Sequence, residues 1–326
     1  MREPNLLDVA EFSALGAAPC RVVPAADYRR GPVPLQSVVI GVDGAGALPA
    51  VNPADFDVLL TTAPEPPAPW VGVASVTAAQ NLADRVGRWP FAATIGCQVL
   101  RTVERLPFND ALLVESLAYS TLLGGREFAD WLARRPPQAP LTPVDDPIRV
   151  ERDGETLILT LADTPRRNAM TAVMRDALYT ALANALEDPG LPNVVLRADG
   201  RCFSTGGSLA EFGTTRDLAA AHIIRSLHAN ARLCHALGGR LEVVFHGACV
   251  GSGLEVPAAA ARRSARCGAF FQLPELSMGL IPGAGGTVTV SRAIGRHRAV
   301  WMFLSGARLT VGRALSWGLV HRVLPS

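Results

Sequence analysis

The chain has 326 residues, is 49% hydrophobic and 18% charged, and carries a formal net charge of +2. That much apolar sequence excludes a largely disordered chain and can supply one large core or two ordinary ones. The near-neutral charge without a basic block argues weakly against a nucleic-acid footprint, and every apolar run is broken by a charge, Gly or Pro before it reaches membrane-spanning length.

The opening, MREPNLLDVAEF, has early acids and no apolar signal core, so a cytoplasmic protein is expected. The cysteines (Cys20, Cys97, Cys202, Cys234, Cys249 and Cys267) show no CxxC spacing and read as reduced, mostly buried thiols. No paired histidines accompany them, so no metal is expected. All 31 basic residues are arginine. The lack of lysine excludes Schiff-base chemistry and a Walker P-loop, which both need an amine. It leaves any phosphate to arginine, backbone N–H groups or helix N-termini.

In chain order, residues 1–35 are proline-interrupted and are expected to be irregular. Residues 36–42 and 56–61 read as short strands, and APEPPAP at 63–69 as an extended break. No helix opens from the glycines at 44 and 46, as a dinucleotide fingerprint would require. Residues 77–135 read as helical. Thr77 with Gln80 is a capping-box start, Pro90 opens a second helix with Phe91, Ile95, Val99 and Val103 on one face, and Asn109 caps a third with Leu113 and Leu117 inward. After Gly124 and Gly125, Phe128, Trp131 and Leu132 form the apolar side of a fourth. Residues 136–147, PPQAPLTPVDDP, read as a linker and domain boundary.

Beyond it, Asp153-Gly154 joins a hairpin, Thr171 caps a long helix bearing Met174, Leu178, Leu182 and Leu186, and residues 193–198 form a buried strand. A helix over 222–237, a strand over 241–245, two short helices over 294–304 and 310–317, and a last strand over 319–323 follow. Strand–helix alternation of this kind indicates α/β layers.

The stretch 246–287 carries the chemistry. It holds a small-residue turn at Gly251-Ser252-Gly253, then Glu255, then Glu275 after Pro274, then Gly283-Ala284-Gly285-Gly286. Two carboxylates and two places for exposed backbone N–H groups suit acid/base work on a polarised carbonyl.

In order, these pieces resemble the crotonase (enoyl-CoA hydratase/isomerase) superfamily over residues 148–325. Pro165-Arg166-Arg167-Asn168-Ala169-Met170 is similar to its adenine-pocket segment, RCFSTGGSLAEF at 201–212 to its first oxyanion loop, and Cys249 to Glu255 to its second. QLPELSMGLIPGAGGT at 272–287 is similar to its second acidic segment, with WMFLSGARLTVGRA and GLVHRVLP downstream. The resemblance implies an α/β crotonase (ClpP-like) spiral of ββα units, trimer-based, acting on an acyl-CoA thioester with no cofactor beyond the coenzyme A of the substrate. It implies Gly207 and Ser252 as oxyanion donors, Glu255 and Glu275 as the acid/base pair, and Arg166, Arg167, Asn168, Ala169, Thr205, Gly206, Gly251, Pro282 and Gly283 as substrate-binding. Hydration of a 2-enoyl-CoA is the expected reaction. A double-bond isomerase using Glu275, another crotonase reaction, or a non-catalytic CoA-binding subunit are the alternatives.

Four departures stand out. Ser208 and Ala261 stand where aspartates are common, Ser252 replaces a glycine, and Pro257 enters the first turn after Glu255. Members also continue for several helices past the position of Pro325. Here ALLVESLAYSTLLGGREFADWLARR, at 111–135, resembles those terminal helices. A circular permutation, or a duplication whose first copy has decayed, would place residues 77–135 against the core at 148–326, behind a front region 1–76.

Overall fold

The structure, a computed structural model, describes residues 8–31, 33, 36–136 and 145–325. The proline-rich stretch therefore lies largely outside the described residues.

Strands β1 (Cys20–Pro24), β2 (Val38–Asp43), β3 (Val58–Thr61) and β4 (Val71–Gly72) form a sheet in that spatial order, parallel throughout. The expectation of irregular structure over 1–35 is thus corrected. CRVVP is a short edge strand with only Val23 buried, too brief and too charged to announce itself by periodicity. Helices α1 (Thr77–Arg88), α2 (Pro90–Val103), α3 (Phe108–Leu123) and α4 (Arg126–Arg134) follow.

Pro90 opens α2 as its first residue, where the missing N–H costs nothing. Other helix details differ from expectation. Thr77 and Gln80 form no capping box: Val76 is the N-cap, and the Gln80 amide donates to Asp84. Pro107, not Asn109, is the N-cap of α3. Phe91 is exposed, but Val99 and Val103 are buried as expected, together with Ala92, Ala93, Gly96, Cys97 and Leu100. Leu113 and Leu117 are also exposed; the inward face of α3 is Phe108, Ala111, Glu115, Ser116, Ser120 and Leu122. On α3, apolar spacing pointed to the wrong face because the true inner face is partly polar.

The second half begins with the antiparallel hairpin of β5 (Ile148–Asp153) and β6 (Thr156–Leu161). It continues with α5 (Ala172–Glu187), β7 (Asn193–Ala198), α6 (Leu218–Leu227), α7 (Asn230–Leu237) and β8 (Leu241–Phe245). The single helix expected over 222–237 is two, broken at His228 and Ala229. Strand β7 alternates between buried and open positions rather than being wholly buried. Next come β9 (Ala248–Val250), α8 (Ser252–Glu255), β10 (Arg262–Arg266), β11 (Phe270–Gln272), α9 (Gly286–Ile294), α10 (Arg296–Ser305), β12 (Leu309–Thr310), α11 (Val311–Ser316) and β13 (Arg322–Leu324). Pro257 starts a separate 3-10 turn once α8 has ended. The main sheet has the order β13-β10-β8-β7-β6-β5, parallel except for the hairpin; β12-β11-β9 form a third sheet.

Thr171 caps α5 as expected, accepting from the Met174 N–H at 3.0 Å. Thr171→Ala should therefore cost about 1 kcal/mol in urea unfolding. A change below a few tenths would show that the cap carries no stability.

The two halves are tied by arginines donating to carbonyls. Arg85 donates to Leu304 O, Arg296 to Phe56 O and Pro53 O, and Arg298 to Trp70 O and Pro66 O. His297 contacts Pro53 O, which makes it a structural histidine. Fully buried Asp57 joins the first sheet to α2: Arg101 donates to both of its oxygens, at 2.6 and 2.5 Å, and Val39 N donates at 2.8 Å. Burial would raise the Asp57 carboxyl, but the Arg101 charge and hydrogen bonds outweigh it and hold the group below its ordinary value.

Candidate active site

Two loops lie side by side because β9 runs next to Ser204. Ser204 N donates to Ala248 O, Val250 N donates to Ser204 O, and the pair forms an isolated parallel bridge. The chain therefore brings Thr205, Gly206 and Gly207 alongside Gly251 and Ser252. Gly206 has φ +90°, and a Cβ there would come within 2.8 Å of Val250 O, so only glycine allows this approach.

The Gly207 and Ser252 N–H groups have no hydrogen-bond partner among the described residues. Ser252 begins α8, where the first N–H groups have no intrahelical acceptor. Both residues line a cleft of about 870 Å³, which Thr205, Gly206, Gly251, Glu255, Glu275 and Gly283 also line.

The remaining predicted residues lie elsewhere. Asn168 is fully buried and donates to Asp199 O and Cys202 O, pinning the first loop from behind. Arg166 pairs with Asp163, Arg167 is exposed, and Ala169 and buried Pro282 do not line the cleft.

Glu255 and Glu275 are both buried. A Cβ at Gly251 would sit 2.9 Å from Glu275 Oε1 and 3.9 Å from Glu255 Oε1, so both carboxylates reach the same point beside the second loop. Their hydrogen bonding differs. Glu255 Oε2 accepts from Ala284 N at 2.8 Å and Gly286 N at 3.0 Å. Buried Glu275 Oε2 has no hydrogen-bond partner among the described residues.

A third buried carboxylate completes the arrangement. Glu115, on α3, accepts from Gly285 N at 2.6 Å, Thr287 N at 2.7 Å and Thr287 Oγ1 at 2.6 Å. Glu255 and Glu115 thus take alternate N–H groups at the start of α9, where helix donors are unpaired and the dipole favours anions. On the same face of α3, the Tyr119 ring lies against Gly283, where a Cβ would run into it. Arg225 of α6 stacks on that ring at 4.5 Å. Sequence reasoning missed Glu115, Tyr119 and Arg225. Their one signal was the grouping of Glu115, Ser116 and Ser120 on a single face of a leucine-rich helix.

Burial raises Glu255 to about 7, against the pull of its N–H donors. Burial, then the Glu255 charge, raises Glu115 to about 8 and Glu275 well above the ordinary carboxylate range. Raised carboxyl values mean that the folded state binds protons the unfolded chain has released. Their stabilisation is complete below about 4.5, the ordinary carboxylate value, and is lost as pH rises through about 7 to 8. Glu275→Gln should accordingly melt higher than the unmodified chain at pH 8, with the gap narrowing at pH 5. A gap that is the same at both pH values would contradict the assignment.

Paired backbone donors beside two buried carboxylates are groups that proton transfer next to a polarised carbonyl can use. The enoyl-CoA hydratase/isomerase family profile matches residues 152–326. The chain belongs to that family and is an enzyme with the crotonase fold. It is 34% identical over 177 residues to the 2,3-dehydroadipyl-CoA hydratase of Escherichia coli, covering 54% of this chain and 69% of that protein. It is 30% identical over 170 residues to a probable enoyl-CoA hydratase of Bacillus subtilis, covering 52% and 65%. The enoyl-CoA hydratase of Thermoplasma volcanium superposes with a TM-score of 0.50 at 27% identity, covering 55% of this chain and 72% of that one. The chain thus spans about two thirds of the length of these relatives. Among the described residues, no helix is long and apolar enough to cross a membrane.

Proposed function

We propose that this chain adds water to a 2-enoyl-CoA thioester. The Gly207 and Ser252 N–H groups hold the thioester oxygen and stabilise the enolate that develops on it. Glu255, favoured as the carboxylate by its two N–H donors, takes a proton from water as the hydroxyl bonds to C3. Glu275, favoured as the acid by its partnerless buried oxygen, gives its proton to C2. The next bound water returns the proton from Glu255 to Glu275, closing the cycle. The observation that carries this reading is the unequal bonding of the two glutamates around Gly251. Paired carboxylates in unequal surroundings divide into acid and base.

Glu255→Gln separates hydration from isomerisation. A hydratase should lose about 10²- to 10⁴-fold in turnover. An isomerase that shuttles a proton on Glu275 alone should keep its rate.

Helices α1 to α4 take, on this reading, the place of the terminal helices of the family, supplied from the front of the chain. Glu115 at the start of α9 and Tyr119 over Gly283 support it, since both reach the reaction centre from α3.

A further inference from the structure

A smaller cavity of about 190 Å³ lies beyond Gly283 and Ala284, between α3, α6 and α7. It shares Met170, Arg175, Arg225, Gly283 and Ala284 with the main cleft, so the two are neighbours across a wall one side chain thick. Its walls mix apolar residues such as Leu112 and Val256 with polar ones such as Asn109 and Ser226.

Arg225 sits at the junction. Its Nη1 donates to Ser116 O at 3.2 Å, Ser116 Oγ at 2.9 Å and Ser120 Oγ at 3.1 Å, all neutral acceptors. The guanidinium stacks on Tyr119. Among the described residues no carboxylate lies within ion-pair distance of it, and Nε and Nη2 make no hydrogen bond. Glu115, the acid that lines the same cavity, is already committed to Gly285 and Thr287. Arg175 and His228, also in the lining, share Asp176. A half-buried guanidinium with an unused edge is suited to a planar, bidentate acid.

We propose that the acyl group of the substrate ends in a carboxylate and that Arg225 pairs with it where the two cavities meet. This rests on the acyl-CoA reading above. It adds a substrate class: thioesters of dicarboxylic acids. A methyl end in the same place would leave the guanidinium shielded from water and unpaired, so the site discriminates by what it leaves unsatisfied.

The test is equilibrium binding of saturated CoA thioesters in length-matched pairs: succinyl with butanoyl, adipyl with hexanoyl, suberyl with octanoyl. At one length or more, the dicarboxylic member should bind about 10- to 100-fold more tightly. Arg225→Met should remove that preference, bringing the two members of each pair to within about twofold of one another; Arg225→Gln serves if the methionine variant does not fold. Equal binding within every pair, a preference that survives loss of the arginine, or no binding of any thioester would overturn the proposal. Saturated thioesters cannot be hydrated, so a preference seen together with no turnover of the 2-enoyl forms would sink the hydratase reading alone.

Discussion

Exchanging Glu275 for glutamine is expected to lower turnover about 10²- to 10⁴-fold and leave the fold intact. The amide has nearly the shape of the acid but no proton to give to C2. Its oxygen and nitrogen replace atoms beside Gly251, where one carboxylate oxygen already lacks a partner, so no hydrogen bond of the fold is broken. This variant should silence isomerisation as well as hydration, because both place Glu275 at the α-carbon. Steady-state kinetics beside thermal unfolding at pH 6 would check it. A variant that keeps more than about a tenth of the rate would remove Glu275 from the mechanism.

Exchanging Glu115 for alanine should cost stability and activity together. Gly285 N, Thr287 N and Thr287 Oγ1 would lose their buried acceptor at once. Each stranded donor costs about 1–3 kcal/mol, and neighbours do not add fully, so about 3–5 kcal/mol is expected in urea unfolding. That is a large part of the stability of an ordinary domain. Glu255 is held on the intervening N–H groups of the same helix start, so its carboxylate should lose its fixed position. Glu115→Gln should fall between, since one oxygen still accepts while the amide N–H₂ faces donors. A loss below about 1 kcal/mol for the alanine variant would mean that α3 does not anchor the start of α9.

The parts of the site that local spacing defines were legible in the sequence. Glu255 follows a glycine turn and Glu275 a proline. Gly207 and Ser252 were marked by the resemblance of their loops to those of the crotonase family, and the structure brings all four to one cleft. Thr171, Pro90 and the Asp153-Gly154 hairpin were equally local. What escaped depends on partners far along the chain. Glu115 meets Gly285 and Thr287, residues far along the sequence, so the inner face of α3 is partly polar and Leu113 and Leu117 point outward. A periodicity rule assigns such a helix the opposite face. Asn168 is misleading in another way: the motif is present, but its side chain serves Asp199 and Cys202 carbonyls rather than the cleft. The break at His228 and Ala229 lies in a run with no Gly or Pro to mark it.

The central claim is that Glu255 and Glu275 add water across the double bond of an enoyl thioester held by Gly207 and Ser252. The direct measurement is incubation of the pure full chain with a short and a long 2-enoyl-CoA in ¹⁸O-labelled water. Ultraviolet absorbance follows the enoyl thioester, and mass spectrometry follows the product. The expected result is loss of the absorbance with one labelled oxygen at C3. Absorbance that persists for both substrates, or that falls with no labelled oxygen at C3, would contradict it.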